Sequence, residues 1–476
     1  MITAKLIKTI RNKYEWFYLM TMLVMVLFSI HATKYLIAIN LFIFVLITLL
    51  SEYRSWLLLI VLTALLSFTS AFSTELRFII QLSSYSIVVV LVIIECFNQN
   101  SYLVKVPNEI LIFITFYLLW MLLTTILSDY KSIGFSQILR QIAFFILVYL
   151  IYQLTNSLKS VKIIISSIFL ITIIYLFFIG NLFVDSGFDI VQMTIEFVYS
   201  EENFINRNTY GGFLIIASSI LFPFTMQKNI EWRVYSILFL LILWSTLIIT
   251  SSRGAILSCI IGVLFSIYYL RRRWISWIML SVSVIALFVF TAPPDSLIGQ
   301  YFRLESVYTG RDFIFQTISG VIKNNFWVGA GPGGTKYELY NNMPFLLGSY
   351  EEIWMKAHYE RIEIGHAHNF YLFFFSDMGI FGFLLSLMLP FIFLKRSLNL
   401  IKKLQNIDTV YYPLSIGLTA TGIGFFVRGI FEWSGILSYG TIFIDLPFWL
   451  IYILIVVISE NTELISKQNK VISDSY

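Results

Sequence analysis

Charge is scarce in this chain. Charged residues make up 12% of its 476 residues, about half the ~25% carried by a soluble domain. Hydrophobic residues reach 58% and the mean hydropathy is +0.83. That balance excludes a soluble multidomain protein and predicts an all-α polytopic integral membrane protein. Cysteine is almost missing too. Cys96 and Cys259 both fall inside apolar runs, which argues against a disulfide framework and against a reactive thiol. The net charge of +5 is no sign of a nucleic-acid partner, because the basic residues sit in short loops between apolar runs. No small-residue cleavage site follows the first apolar run, so that run, preceded by Lys5, Lys8, Arg11 and Lys13, reads as an uncleaved signal anchor. Repeats and low-complexity linkers are not evident.

A membrane span needs about 20 mostly apolar residues. Runs of that kind lie near 15–31, 35–51, 55–72, 78–97, 109–128, 139–155, 162–184, 210–227, 233–250, 254–270, 274–292, 369–395, 411–428 and 436–458. The first two are short, so about 12–14 spans are expected. Arg271-Arg272-Arg273 and the group Lys395, Arg396, Lys402 and Lys403 fix the orientation by the positive-inside rule, with both termini in the cytoplasm. The chain divides into N-terminal helices over 1–209, a second region over 210–460 and a cytoplasmic tail over 461–476.

Two loops fall outside under this orientation. One runs from Asp185 to Thr209 and is acidic at its start. The other, at about 293–368, is the one long polar interruption and holds His358, His366 and His368, three of the four histidines. Titratable groups gathered in one loop against the bilayer edge point to binding or chemistry there. Within it, Ile353, Trp354, Ala357 and Arg361 fit a short amphipathic helix on the membrane surface.

Arginine marks the outer ends of several spans. Arg207, Arg253 and Arg428 each lie at one, and Arg303 and Arg311 lie in the long loop. Singly, each is accounted for by snorkelling to the interface. Together, permanently charged guanidinium groups that bind phosphate oxygens in a fork suit a lipid-linked phosphate or diphosphate at rim depth. Glu432 stands near Arg428 and would neutralise it, a structural pairing.

His366 and His368 are two apart, next to Asn369 at the start of a span. The spacing fits no standard zinc pattern, and no metal or cofactor is expected. Histidine accepts a proton near neutral pH, its reference pKa being ~6.5, and a sugar hydroxyl needs a base to become a nucleophile. His368 is the better candidate for that base, with His366 as the alternative. Asn369 would orient the imidazole or an acceptor hydroxyl. The run Gly329-Ala330-Gly331-Pro332-Gly333-Gly334 lacks a Walker ending and reads as either an anion-binding nest of backbone amides or a plain turn.

These pieces, in order, resemble the O-antigen ligase and O-antigen polymerase superfamily, the Wzy-like membrane glycosyltransferases. They are Ser251-Ser252-Arg253-Gly254 before a span, Thr309-Gly310-Arg311 in the loop, Gly329-Ala330-Gly331-Pro332-Gly333, and His368-Asn369-Phe370-Tyr371-Leu372 leading to Asp377-Met378-Gly379-Ile380-Phe381-Gly382. Asn206-Arg207-Asn208 also looks like a family segment. The resemblance covers roughly residues 205 to 385 and implies an inverting, metal-independent glycosyltransferase of the bacterial plasma membrane. Its donor would be an undecaprenyl-diphosphate-linked oligosaccharide and its acceptor another glycan. Carried over by position, Arg253 and Arg311 would hold the diphosphate, with Arg207 as a weaker contact, and His368 would activate the acceptor. A second histidine, His366, and a span count above the family's usual twelve or so depart from the pattern. A surface-polysaccharide polymerase is favoured over a ligase acting on lipid A core, since a chain rich in Ile, Lys and Asn suggests an AT-rich organism, and many of those lack lipid A. A chain-length regulator and a flippase would be partner proteins of such an enzyme. A polysaccharide or lipid transporter is the alternative of another class. It would need broken or charged helices at mid-membrane, and the apolar runs contain few charges and no paired polar residues at their Gly and Pro positions.

Overall fold

The structure is a computed structural model that describes residues 105–155, 157–189, 207–227, 229–250, 252–271, 311–342, 367–405 and 410–466, with a few positions between 274 and 353 and residue 407. The four spans expected before residue 98, Cys96, most of the span at 274–292, the surface helix beyond Ile353 and the tail beyond 466 lie outside the described residues.

Every regular element among the described residues is helical. In chain order they are α1 (Asn108–Leu127), α2 (Lys131–Leu154), α3 (Leu158–Asp185), α4 (Arg207–Leu221), α5 (Ile230–Ile249), α6 (Arg253–Leu270), α7 (Arg311–Asn324), α8 (Thr335–Asn341), α9 (Phe370–Leu404), α10 (Tyr411–Arg428) and α11 (Ile442–Glu460). Of these, α1, α2, α5, α6 and α9 are long and apolar enough to cross a membrane. Large apolar side chains such as Phe116, Leu139, Leu238 and Phe391 are exposed on them. That is the inverse of a soluble surface and the expected face toward lipid. The chain is an all-α polytopic membrane protein.

Helix α10 sits at the centre, packed by α4, α6, α9 and α11. Its stretch Pro413–Gly422 is buried on every side, and its small residues Ser415, Gly417, Thr419, Ala420, Thr421 and Gly422 let neighbouring backbones approach closely. A Cβ at Gly417 would lie 2.8 Å from Ser219 O on α4. Helix α4 is shorter than the expected span, because Pro223 turns its end into a 3-10 segment, Phe222–Met226. Helix and segment together still extend about 30 Å.

Three boundaries differ from the sequence reading. Helix α2 starts at Lys131 rather than 139, since Gly134 allows the α1–α2 hairpin to close against Thr125, whose Oγ1 a Cβ there would meet at 2.6 Å. Helix α11 starts at Ile442 rather than 436. The preceding loop instead folds onto the buried Asp445, which accepts from Gly435 N (3.2 Å), Ser438 N (2.5 Å) and Ser438 Oγ (2.8 Å). Helix α9 runs on to Leu404, nine residues past the apolar run, as its lysines carry it out of the hydrocarbon.

Helix α9 is also broken, where one continuous span was expected. Gly379 has φ +65° and ψ −163°, a conformation essentially reserved for glycine. A Cβ there would strike the Trp327 carbonyl. In hydrocarbon the peptide groups freed by a break must find partners, and they do. Ile380 N donates to Phe326 O (2.9 Å), Ala330 N to Ser376 O (2.9 Å) and Gly331 N to Asp377 O (2.8 Å). Trp120 Nε1 donates to Met378 O at 2.8 Å. Residues 326–331 are thus laced into the gap.

Polar groups segregate to the two ends of the bundle. Arg396 reaches Glu109 at 3.7 Å and Glu460 at 3.6 Å, and the Tyr152 hydroxyl donates to Glu460. The opposite end holds Ser128, Asp377, Tyr439, Arg428 and the starts of α4, α6 and α9.

Candidate functional site

Arg253, His368, Asn369 and Arg428 lie at that second end. Helix α6 begins at Arg253, after the buried Ser252. Gly211 on α4 packs against Ala255 and Ser252, and Gly254 packs against Phe431, whose Cβ would lie 3.2 Å from a Cβ there. The same turn receives the start of α9. Phe370 N donates to Gly429 O at 2.7 Å, and Asn369 Nδ2 donates to Ile430 O at 2.9 Å. The turn at 429–431 therefore joins the segment carrying Arg253 to the segment carrying His368.

His368 is half-buried with φ +45°, in the left-handed region that costs a side-chain-bearing residue about 1–2 kcal/mol. The conformation is held from both sides. Ala367 before it is fully buried. Asn369 after it caps α9, its Oδ1 accepting from Tyr371 N (2.9 Å) and Leu372 N (2.9 Å). Both ends of the Asn369 amide are engaged by backbone. In this structure the side chain fixes where the helix begins rather than orienting the imidazole.

Arg428, the last residue of α10, is only 4% exposed. Its guanidinium lies against Gly212 and Gly435, where a Cβ would come within 3.4 and 2.6 Å of Nη1. The Glu432 carboxylate acts on it electrostatically, and Glu432 is itself buried at 8% exposure. Enclosure of this kind fits the structural pairing anticipated from sequence.

Of the other candidates, Arg207 and Arg311 stand at the first described positions of α4 and α7, and their side chains lie outside the described residues. So does His366. Among the described residues no three histidine, cysteine, aspartate or glutamate side chains gather where they would hold a metal ion.

Sequence reasoning noted one group only as part of a motif and gave it no role. Asp377 is fully buried, and the glycine run wraps around it. Its carboxylate accepts from Gly333 N (2.8 Å), Thr335 N (3.0 Å) and the Tyr439 hydroxyl (2.6 Å). The run is therefore an anion nest after all, and its anion is a carboxylate of the chain itself. Ser128 Oγ donates to Ala330 O at 2.6 Å and completes the seat. The finding also corrects an argument made against a transporter: a broken helix with a buried, paired acid is present at Gly379. The available signal was a lone aspartate just before Met-Gly inside an apolar run. Burial and the carboxylate nearby hold the Tyr439 hydroxyl well above the usual tyrosine pKa, so it remains a donor.

Residues 237–387 match the family model described as O-antigen ligase. The matched stretch runs from α5 into α9 and includes Arg253, Arg311, His368, Asn369, Asp377 and Gly379, and leaves Arg207 and Arg428 outside. No curated protein matches the chain.

Proposed function

We propose that this chain, which matches the O-antigen ligase family model over residues 237–387, is a member of the O-antigen ligase and polymerase superfamily and acts as a surface-polysaccharide polymerase. It transfers a glycan from undecaprenyl diphosphate to a hydroxyl of an acceptor glycan, with inversion and without a metal. His368 takes the proton from the acceptor hydroxyl as its oxygen bonds to the anomeric carbon. The bond from that carbon to the diphosphate breaks, and undecaprenyl diphosphate leaves with the electron pair. Arg253 and Arg311 stabilise the growing charge on the leaving group, with Arg207 in support. Asn369 holds His368 at the rim, and Arg428 holds the floor beneath it. The chemistry takes place on the extracytoplasmic face of the bacterial plasma membrane, with both termini in the cytoplasm.

One observation carries this reading. Arg253 is the first residue of α6, at the positive end of the helix dipole, where a cation is disfavoured by about 0.3–1 kcal/mol. An anion at that position is favoured by both groups, since backbone N–H groups and guanidinium act on the same charge. A diphosphate entering from the leaflet arrives at that depth.

The test uses purified protein in nanodiscs with an undecaprenyl-diphosphate oligosaccharide, wild type beside His368→Ala. A glycan ladder and released undecaprenyl diphosphate from wild type, with turnover cut at least ~100-fold in the variant, supports the polymerase. A single transfer that requires a different added acceptor makes it a ligase. Release in neither sample rejects the reading. A chelator is expected to leave turnover unchanged.

A further inference from the structure

The end of the bundle remote from Arg253 and His368 holds a cavity of about 650 Å³ between α1, α9 and α11. Lys395, Arg396, Lys402 and Lys403 line it, and Glu109 is the carboxylate in its wall. Along α9 these cations follow a three-, four- and seven-residue spacing through Asn399, so they share one face. Arg396 is anchored by Glu109 and Glu460. Among the described residues the three lysines have no carboxylate partner.

A preference for positive residues at cytoplasmic helix ends accounts for lysines in a loop. It does not account for a cavity, nor for what lies in its wall. Tyr452 is 4% exposed, and its hydroxyl is buried with no hydrogen-bond partner among the described residues. The same holds for Arg396 Nε. Both residues line this cavity, and both groups are donors. Buried donors without acceptors are uncommon and call for an acceptor that the described residues do not supply. One helical turn or more along α9 toward mid-membrane, the wall becomes apolar at Met388 and Phe391, and Phe391 is 67% exposed.

Cations at the rim, unsatisfied donors within and an apolar flank toward the membrane centre match one ligand chemistry: a phosphate joined to acyl chains. We infer that the cavity binds the headgroup of an anionic phospholipid of the surrounding bilayer. The phosphate lies against Arg396, Lys402 and Lys403, and the chains run down past Met388 and Phe391. Basic pockets between transmembrane helices recognise lipid headgroups by this means.

Native mass spectrometry of detergent-solubilised protein tests it, with phosphatidylglycerol and phosphatidylcholine of matched chains added in turn. Wild type is expected to retain phosphatidylglycerol in preference. Lys395→Gln, Lys402→Gln and Lys403→Gln should each weaken that retention roughly fivefold, with the melting temperature kept. Tyr452→Phe should weaken it as well. Equal retention of the two lipids by wild type, or an undiminished preference in the triple lysine variant, overturns the inference. Displacement of phosphatidylglycerol by an equal concentration of glycerol phosphate overturns the lipid assignment, because acyl chains would then contribute nothing. The lysines lie at the far end of the bundle from His368, so glycan transfer by the same variants reports separately on the catalytic reading.

Discussion

Tyr439 and Asp377, sixty-two residues apart, share a 2.6 Å hydrogen bond from the hydroxyl to the carboxylate. The bond joins the loop after α10 to the helix that begins beside His368, and the glycine run closes over the same carboxylate. Removing the donor is expected to cost about 1.5–3 kcal/mol, the range for hydrogen bonds to a charged group. Tyr439→Phe should therefore lower the melting temperature in detergent. Asp377→Asn should lower it further, because an amide NH₂ would face Gly333 N or Thr335 N, donor against donor.

The pH dependence of that bond follows from Tyr439. Its folded-state pKa is raised, first by burial and then by Asp377. A raised pKa means that its contribution to stability is complete below the unfolded value of about 10 and is lost as pH rises past it. Wild-type melting curves should show no Tyr439-dependent change between pH 7 and 9 and a decline above about pH 10. Tyr439→Phe should decline less steeply over the same upper range.

Arg253→Ala should depress turnover by two orders of magnitude or so, as expected for loss of a charged transition-state contact of about 2.7–4 kcal/mol. Arg311→Ala should behave similarly, and Arg311→Lys should restore only part, since an ammonium replaces a planar fork. Full activity in Arg253→Ala would remove that residue from the diphosphate site.

Gly379→Ala tests the break in α9. The substitution places a methyl group against the Trp327 carbonyl and asks alanine to adopt φ +65°. Destabilisation well above about 1 kcal/mol is expected, read as loss of folded protein in detergent. An ordinary continuous helix would instead be stabilised by alanine.

Among the described residues most helix positions were legible in the sequence, because a run of apolar residues long enough to cross a bilayer has few alternative fates. Helix α10 was bounded from Tyr411 to Arg428 on that ground alone. The pattern failed where polar residues lie inside the bundle. The segment before α11 looked like helix because Ile436 and Leu437 are apolar, yet its amides serve Asp445. The break at Gly379 left no trace in hydropathy, since Met378, Ile380 and Phe381 continue the run without pause. At the site, the chemistry of His368 and Arg253 marked them out. Asp377 and Tyr439 escaped because a pairing across such a distance leaves no local periodicity. Asn369 was placed at the start of a span and read for what its amide could do for the imidazole or an acceptor, whereas both ends of that amide serve the backbone.

The lacing of residues 326–331 into the gap at Gly379 limits how this protein can be re-engineered. Acceptor specificity in a relative cannot be transplanted by exchanging the outer loop alone. A foreign loop would leave the carbonyls of Ser376 and Asp377 and the amide of Ile380 without partners, with its own amides seated on nothing. The smallest exchangeable cassette is the loop together with the first turns of α9. A chimera cut between residue 342 and His368 should fail to fold, while one cut beyond Gly382 should survive.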